Sequence, residues 1–286
     1  MKQDLQGRVF VITGANTGIG KVTALEIAKT GATLILACRS EKKALPVVEE
    51  LKQVTGNQEI RFVPLDLASL ESVRKCAKQI LEEEPKIHVL INNAGLASMR
   101  GETQEGFELA FGVNHLGHFL FTKLLLPRLQ ESTPARIVNV ASRAHKRVKK
   151  YSLDDVQKYT QSTSGFPEYC LSKLANVLFN NELAKRIEGT DVTCYALHPG
   201  VVASDIWRRI PIPFRWIAKM FMISNEEGAL TSLHCALSEE AGKESGLYYD
   251  KCKAIPTQHP AAKDDALAKE LWDKSEEWVA PFAHLD

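Results

Sequence analysis

The sequence predicts an α/β protein with a doubly wound parallel sheet of about seven strands and helices on both faces. Short β-branched or apolar runs alternate with amphipathic segments of helical length, and a glycine-rich turn joins the first run to the first such segment. Alternation of this kind favours parallel strands joined by right-handed helical crossovers. The chain has 286 residues, of which 44% are hydrophobic, so we expect one domain over residues 1–286.

The predicted elements follow one another in order from the N-terminus. Strands are expected where short runs are rich in Val, Ile and Leu, at 9–13, 34–37, 60–65, 89–91, 136–140 and 192–197. Helices are expected where apolar residues recur at helical spacing, at 19–30, 42–54, 70–83, 106–129 and 167–186.

Three segments lie outside this alternation. A polar insertion at 143–166 and an apolar, basic stretch at 206–223 are both expected near the active-site edge, with 203–224 interpreted as a lid over the substrate. Three apolar residues of the C-terminal tail, 255–286, recur at helical spacing: Leu267, Leu271 and Trp278. Such a stripe is typical of a helix packed on the core, so we expect no catalytic role for the tail.

Charge, cysteine content and histidine context exclude several functions. The net charge is +1, so no nucleic-acid partner is expected. The six cysteines form no CxxC pair, which indicates an intracellular, reducing compartment. No apolar signal region precedes the first strand, and no transmembrane segment is expected. No carboxylate or cysteine completes a ligand set with His115 and His118, so we expect no metal site and interpret both as packing or polar contacts.

A glycine-rich turn follows the first predicted strand. At such a turn the backbone can pass close to a phosphate, where a Cβ would collide, while amides at the start of the next helix face the pyrophosphate. The strand, loop and helix context predicts a dinucleotide-binding (Rossmann) domain, and the alternative is a turn that needs glycine without any ligand. The expected cofactor contacts in this turn are Gly14, Asn16, Thr17, Gly18, Ile19 and Gly20.

The residue after the second predicted strand indicates which dinucleotide is bound. A free ribose 2′-hydroxyl calls for Asp or Glu at this place, yet the chain reads Ala37-Cys38-Arg39-Ser40. Arg39 can pair with a 2′-phosphate instead, which predicts NADP(H) over NAD(H). The alternative is a solvated arginine at a strand end.

Two further strand ends are expected to line the cofactor. Asp66, with Leu67 beside it, is placed to accept from the adenine amino group, although a cap of the following helix is an equal alternative. The fourth strand closes on Asn93, Ala94 and Gly95, whose small or amide side chains can brace the sheet edge against the cofactor. A purely structural turn is the alternative there, and the two roles are compatible.

Tyr169 and Lys173 stand four residues apart on a predicted helix, which places a phenol and an ammonium on one face. A neighbouring cation favours phenolate, so a group whose pKa is ordinarily ~10 becomes a usable proton donor or acceptor. An isolated pair of this kind is an ordinary helix contact in many proteins. Ser142 at the end of the preceding strand and Asn114 inside the preceding helix favour the catalytic interpretation.

These motifs, in this order, resemble the short-chain dehydrogenase/reductase family. Four longer runs resemble its retinol dehydrogenase 11/12/13/14 branch: 12–21, 112–119, 172–179 and 198–202. The resemblance covers nearly the whole chain and implies an NADP(H)-dependent oxidoreductase acting on a lipophilic carbonyl, with retinal to retinol as the expected reaction. The alternatives are a hydroxysteroid dehydrogenase or lipid aldehyde or ketone reductase, and, more remotely, a non-catalytic NADP-binding interaction protein.

The family's catalytic tetrad falls on four residues of this chain: Asn114, Ser142, Tyr169 and Lys173. The resemblance implies that Ser142 hydrogen-bonds the substrate carbonyl and that Tyr169 exchanges the proton. It also implies that Lys173 binds the nicotinamide ribose and acidifies Tyr169, and that Asn114 holds a relay water. These roles are expectations about positions that match the family's motif.

The segment after the sixth predicted strand is expected to hold the nicotinamide. By resemblance, Pro199, Gly200 and Val202 flank the ring, and Ser204 keeps a hydroxyl for the carboxamide where relatives commonly carry Thr.

The stretch 206–223 mixes aromatic and basic residues without an acid. Two interpretations of this stretch are equally open: a lid that also contacts a membrane, and a lid alone. We expect a cytoplasmic protein or one peripheral on the endoplasmic reticulum membrane. A homodimer through the two long helices is implied by the resemblance, although core burial explains their apolarity equally well.

Overall fold

The computed structural model describes residues 4–149, 151–154, 156–201, 223–257 and 259–285. Eight strands form one sheet in the order β3-β2-β1-β4-β5-β6-β7-β8. All neighbouring pairs in it are parallel except the last, β7 with β8. The strands are β1 Val9–Thr13, β2 Thr33–Cys38, β3 Ile60–Pro64, β4 Val89–Asn92, β5 Ala135–Val140, β6 Val192–His198, β7 Leu247–Asp250 and β8 Lys253–Ala254.

Helices cover both faces of the sheet. Those described are α1 Gly18–Ala28, α2 Glu41–Thr55, α3 Leu70–Glu83, α4 Leu109–Glu131, α5 Phe166–Arg186, α6 Asn225–Leu237 and α7 Asp265–Val279. On one face α1 lies between α2 and α6, and on the other α3 packs on α4 and α5 packs on α7. The middle of α4 widens into a π-helical turn, Gly112–Leu116.

The strands are almost continuously apolar because both faces of the sheet are covered. In β1 the side chains alternate between two cores: Val9 and Val11 pack under α3, α4 and α5, while Phe10 and Ile12 pack under α1, α2 and α6. Because β1 pairs with both β2 and β4, the chain reverses its direction of winding between β1 and β4. Ligands of open α/β sheets bind at the carboxyl edge of such a switch point.

The predicted doubly wound architecture is confirmed, and each predicted strand appears within one or two residues of its expected bounds. Three elements were not predicted. The strand β7 has only four residues, β8 is a two-residue antiparallel edge strand, and the sheet therefore has eight strands and not seven. Helix α6 begins with a capping box formed by Ser224 and Glu227, a sequence signal that was overlooked.

Helix α4 is long and apolar enough, by length and composition, to cross a membrane, and among the residues described it is the single helix that passes this test. In this fold 83% of the apolar 18-residue stretch of this helix is buried. Core packing therefore accounts for its composition. The C-terminal stripe is likewise a core contact, because Leu271 is fully buried and Leu267 and Trp278 pack against the same core.

Candidate active site

The glycine-rich turn lies at the switch point and is packed tightly against the turn after β4. The Gly14 N–H donates to Ala37 O at 2.9 Å, which fixes the turn beside the end of β2. A Cβ on Gly14, whose φ is +67°, would lie 2.8 Å from Ala94 Cβ, and one on Gly20 would lie 2.5 Å from Asn93 Nδ2. The packing of this turn against the turn after β4 therefore leaves no room for a side chain at Gly14 or Gly20, even without a ligand.

The start of α1 has features that would suit an anion. Thr17 occupies the N-cap position without a side-chain bond to the first-turn N–H groups, and the first turn contains no acidic residue. Gly18 adopts φ +57°, which turns the chain into the helix. Amides at a helix start and the positive end of the helix dipole suit a pyrophosphate. Asn16, Thr17 and Ile19 are all at least partly accessible in this turn.

Asn93 and Ala94 are bonded to the end of β1 by both backbone and side chain. Their N–H groups donate to Thr13 Oγ1 at 3.0 and 2.9 Å. The Asn93 amide also donates to Thr13 O at 2.8 Å. The turn after β4 therefore does brace the sheet edge, while Gly95 remains exposed at its surface.

Arg39 follows β2 directly and is exposed beside the glycine-rich turn. Asp66 follows β3, and its Oδ1 accepts the Ala68 N–H at 3.0 Å. The cap of α3 is Ser69 and not Asp66, because Ser69 Oγ accepts the Ser72 N–H at 3.3 Å. Asp66 thus shapes the turn before the helix, and this leaves its expected adenine contact as a prediction.

Leu67, beside Asp66, is buried and fixes the spacing between this turn and α4. A Cβ on Gly117 would lie 2.8 Å from Leu67 O, so helix and turn meet backbone to backbone. The close approach sets the distance from the proposed adenine side to the helix that carries Asn114.

Ser142 and Tyr169 lie close enough for the Ser142 side chain to lower the pKa of the phenol, against the effect of burial. Ser142 follows β5 and caps a short 3₁₀ turn, where its Oγ accepts the Ala144 N–H at 3.1 Å. Tyr169 lies in the first turn of α5, with its side chain buried against Ala97, Ala110 and Phe166. Two hydroxyl groups from different elements therefore converge at the carboxyl edge of the sheet.

Lys173 lies one helical turn after Tyr169, with its Nζ 5.9 Å from the centre of the phenol ring. The side chain is only 5% exposed, and Nζ donates to Val140 O at 2.8 Å. A Cβ on Gly95 would lie 3.5 Å from Lys173 Nζ and 3.2 Å from Asn114 Oδ1. Lys173 and Asn114 thus face the same exposed glycine of the turn after β4.

Asn114 lies in the π-helical turn of α4 and is fully buried. Its Nδ2 donates to Leu96 O and to Ser172 Oγ, both at 2.9 Å, and its Oδ1 accepts the Leu96 N–H at 2.9 Å. The side chain thereby ties α4, α5 and the loop after β4 together. A π-helical turn of this kind often marks a functional site.

Burial has the largest effect on the protonation of Lys173 and Tyr169. It lowers the pKa of Lys173 to about 7 and raises the pKa of Tyr169, while Ser142 acts on the phenol in the opposite direction. The lowering of the Tyr169 pKa that is expected from Lys173 together with the oxidised nicotinamide stays a prediction.

The nicotinamide side is described as far as Val201. Pro199 and Gly200 follow β6, and Gly200 adopts φ +99° close to Ile223. The Ile223 N–H donates to Val201 O at 2.9 Å. Val202, Ser204 and most of the expected lid, including the stretch 206–222, lie outside the described residues.

The polar insertion is tied to the catalytic helices by residues that sequence reasoning missed. Thr160 Oγ1 lies 2.6 Å from Glu108 Oε1, and Glu108 Oε2 accepts the Phe111 N–H at 2.8 Å as the cap of α4. Burial raises the pKa of Glu108. A Cβ on Gly165, which precedes α5, would lie 2.6 Å from Met99 O. Glutamate is an uncommon helix cap, so the sequence offered little to identify this cluster.

His115 and His118 make the polar contacts that were expected of them. His115 Nε2 lies 3.0 Å from Ser275 Oγ among aromatic rings of the core, and His118 Nε2 lies 2.9 Å from Thr13 Oγ1. Burial lowers the pKa of each to about 3. Within the described ranges, no three His, Cys, Asp or Glu side chains gather as a metal site.

Comparisons with known proteins agree with this arrangement. The family model for short chain dehydrogenases matches residues 8–212. Retinol dehydrogenase 12 of Homo sapiens is 47% identical over 274 residues, which cover 95% of this chain and 86% of that protein. Dehydrogenase/reductase SDR family member 13 of Bos taurus is 45% identical over 283 residues, covering 95% and 73%.

Among solved structures, an uncharacterized protein from Mycobacterium paratuberculosis superposes with a TM-score of 0.77 at 32% identity, covering 97% of this chain and 95% of that one. The likeness therefore extends over nearly the whole sheet and its helices. From the family match, the identity to these relatives and the site at the switch point, the chain belongs to the short-chain dehydrogenase/reductase family and is a nicotinamide-dependent oxidoreductase.

Proposed function

We propose that this oxidoreductase transfers hydride between NADPH and a lipophilic carbonyl compound, with the reduction of retinal to retinol as the leading reaction. The observation that supports the proposal is the convergence of Ser142, Tyr169 and Lys173 at the carboxyl edge of the sheet, with Lys173 Nζ 5.9 Å from the centre of the Tyr169 ring. Identity of 41–47% to proteins named retinol dehydrogenase supports a retinoid as the substrate.

The proposed cofactor contacts surround the switch point. Arg39 would pair with the 2′-phosphate, since it is exposed at the end of β2 where a carboxylate would select NAD(H). Solved structures at 20–23% identity are titled as complexes with NADPH, NADP or NADH, and likeness at that level concerns the fold alone. The preference for NADP(H) therefore rests on Arg39. The other proposed contacts are Gly14, Asn16, Thr17, Gly18, Ile19, Gly20, Asp66, Leu67, Asn93, Ala94, Gly95, Tyr169, Lys173, Pro199, Gly200, Val202 and Ser204.

In the proposed mechanism the bound reduced nicotinamide supplies a hydride to the carbonyl carbon. Ser142 donates a hydrogen bond to the carbonyl oxygen and so stabilises the negative charge that develops there. Tyr169 gives its phenol proton to that oxygen, which completes the alcohol. Lys173 would hold the nicotinamide ribose and, in its protonated form, would favour proton exchange by Tyr169, while Asn114 would hold the relay water.

The reduction consumes one proton in each turnover, and in the proposed mechanism Tyr169 delivers it. An aldehyde and one proton take up the hydride to give an alcohol, so one proton must enter from solvent in each turnover. The raised pKa of Tyr169 keeps the phenol protonated and ready to donate in the reductive direction. The positive charge of the oxidised nicotinamide would then favour phenolate after transfer, which assists the reverse reaction.

We also propose peripheral contact with an anionic membrane through the surface at the start of α5. Met99 and Tyr159 are exposed there, and the Arg100 and Arg147 guanidinium groups lie 5.5 and 5.8 Å from the centres of the Tyr159 and Phe166 rings. Aromatic and cationic side chains together suit the headgroup region. Liposomes containing phosphatidylserine should sediment the protein at low salt and release it at high salt, whereas neutral liposomes should not bind it.

The proposed enzyme is a single catalytic domain over residues 1–286 that acts inside the cell, in the cytoplasm or on the endoplasmic reticulum membrane. A homodimer through α4 and α5 stays a prediction that sedimentation velocity can test. A two-fold mass relative to the monomer at micromolar concentration is the expected result.

The decisive test follows NADPH absorbance with retinaldehyde, short aldehydes and ketosteroids in parallel, using NADH as the control cofactor. We expect turnover to be fastest with retinaldehyde and NADPH, and Tyr169→Phe to remove it. Faster turnover of ketosteroids would favour a hydroxysteroid dehydrogenase. Binding of NADPH without reduction of any carbonyl in the panel would favour a non-catalytic protein.

A further inference from the structure

The hydroxyl group of Thr13 takes part in three hydrogen bonds, and together they determine which atom donates in each. Its Oγ1 accepts the N–H groups of Asn93 and Ala94 at 3.0 and 2.9 Å, and it lies 2.9 Å from His118 Nε2. A hydroxyl group has two acceptor lone pairs and one proton. Because both lone pairs are used, the Thr13 proton is donated to His118 Nε2.

The protonation of His118 follows from this bond. Nε2 accepts, so the ring proton of a neutral imidazole is on Nδ1, which lies 3.1 Å from the main-chain oxygen of Asn114. In the opposite tautomer, Nε2–H would be a third donor to Thr13 Oγ1. The unprotonated Nδ1 would then face the Asn114 oxygen with no proton between the two acceptors. His118 is only 4% exposed, and burial lowers its pKa to about 3, so the ring is neutral at assay pH.

A continuous hydrogen-bonded chain therefore connects the cofactor turn to the catalytic helices. It runs from the turn at Asn93 and Ala94 through Thr13 and His118 to the Asn114 carbonyl. The Asn114 side chain extends it to Ser172 on α5, beside Lys173. The carbonyl that His118 contacts lies in the π-helical turn, where the regular helical bonding of α4 is interrupted.

We propose that His118 is a positioning residue: it orients the main-chain carbonyl of Asn114 and couples closure of the cofactor turn to the geometry of Asn114 and Lys173. The inference rests on the proposed function and deepens it. A dinucleotide bound against the turn at Asn93 and Ala94 would constrain that turn, and Thr13 and His118 would pass the constraint to the helix that carries Asn114. Because His118 is buried and bonded to Thr13 and to the Asn114 carbonyl, its proposed effect is on orientation.

Removal of the connection should affect turnover more than substrate binding. In His118→Phe an aromatic ring is kept, although a larger one, while both hydrogen bonds are lost. We expect kcat to fall about 10- to 100-fold, because a misplacement of a catalytic group by about 1 Å can cost about 100-fold. The KM for the aldehyde should stay within about two-fold of wild type, and the apparent pKa that governs kcat should move. His118→Gln, which keeps a donor and an acceptor, should recover part of kcat.

A matched control removes an equally buried histidine bond in the same helix. His115 is fully buried three residues before His118, and Ser275→Ala deletes its hydroxyl partner without touching the cofactor turn. Ser275→Ala should lower the free energy of unfolding and leave kcat and its pH profile unchanged. If His118→Phe is folded and changes neither kcat nor the pH profile, or if Ser275→Ala changes both equally, the positioning role is wrong.

Cofactor binding gives a test that does not depend on turnover. NADPH fluorescence on binding can be titrated for Thr13→Val, His118→Phe and the double variant. If the two residues act through one connection, the double variant should lose no more affinity than the worse single variant, and Thr13→Ser should bind like wild type. Additive losses in NADPH affinity would overturn the coupling. A wild-type protein that binds NADPH but reduces no carbonyl would instead overturn the proposed function. The comparison of NADPH affinities among the single and double variants would still test the role of His118.

Discussion

The side-chain nitrogen of Lys173 lies 2.8 Å from the carbonyl oxygen of Val140, the last residue of β5. The bond anchors the lysine to the strand that precedes Ser142, so the two residues are held at a fixed separation. Because Asn176 Nδ2 also reaches Val140 O, at 3.5 Å, the carbonyl is shared by two residues of α5. Lys173, the proposed catalytic lysine, is thus located by the sheet as well as by its own helix.

Replacement of Lys173 should therefore abolish most of the activity. In Lys173→Ala we expect kcat to fall about 100- to 10,000-fold, the range in which general acid and base catalysis contributes, and NADPH to bind more weakly. Stopped-flow and steady-state measurements of NADPH oxidation provide the check. Lys185→Ala is the control, because Lys185 lies on the same helix with its nitrogen 2.7 Å from Asp265 at the surface. Equal kcat in the two variants would remove Lys173 from the mechanism.

Arg39 should determine the choice between the two dinucleotides. A charge-assisted bond to the 2′-phosphate is worth about 1.5–3 kcal/mol, so Arg39→Ala should raise the KM for NADPH about 10- to 150-fold. Arg39→Glu should additionally improve the use of NADH, because a carboxylate accepts from the ribose 2′-hydroxyl. The ratio of kcat/KM for NADPH and NADH measures the change. Lys43→Ala, an exposed cation on α2, should leave that ratio unaltered.

Much of the architecture could be predicted because its signals are local. Strands such as β1 are apolar on both faces, and the glycine-rich turn follows directly, so periodicity and turn chemistry identify them without knowledge of the fold. The strand β7 could not be found in this way. It has four residues, ends at a turn where Lys251 and Cys252 have positive φ, and becomes a buried strand through its pairing with β6, which is distant in sequence.

The same distinction applies to the site. Tyr169 and Lys173 are four residues apart, and their spacing alone indicates a shared helix face. The bond from Thr13 to His118 joins residues 105 positions apart and exists only once β1 and α4 are packed. Burial raises the pKa of Tyr169, an effect that the spacing to Lys173 does not indicate, and the lowering expected from Lys173 with the oxidised nicotinamide stays a prediction. Burial is a property of the folded chain that spacing does not reveal.

Acid should destabilise the protein through buried neutral histidines. Burial lowers the pKa of His115 and His118 to about 3 and that of His88 and His198 to about 4. Between these values and the ordinary pKa of 6.5 the unfolded chain binds more protons, so stability is full above pH 6.5 and falls as the pH is lowered toward 4. Each group adds a slope of up to ~1.4 kcal/mol per pH unit.

Urea unfolding at pH 7.5 and pH 5 measures this dependence. The midpoint should move to lower urea at pH 5, and the shift should be smaller in His115→Phe, which removes one titrating group from the core. A free energy of unfolding that is the same at both pH values would contradict the burial of these imidazoles as neutral groups.

The bond between Thr160 and Glu108 should stabilise the polar insertion against α4. Thr160 Oγ1 accepts the Gly101 N–H at 3.0 Å and lies 2.6 Å from Glu108 Oε1, so Thr160→Val leaves a buried carboxyl group and an amide without this partner. We expect the free energy of unfolding to fall by about 1–3 kcal/mol, and protease cleavage within 151–165 to become faster.

Two variants separate the hydrogen bond from the shape of the side chain. Thr160→Ser keeps the hydroxyl group and should stay close to wild type in stability and in cleavage rate. Thr163→Val repeats the same change at an exposed position nearby and should have no effect. Because the insertion leads into α5 at Gly165, its release should also raise the KM for the carbonyl substrate. Unchanged KM and cleavage in Thr160→Val would show that the insertion is held to α4 by other contacts.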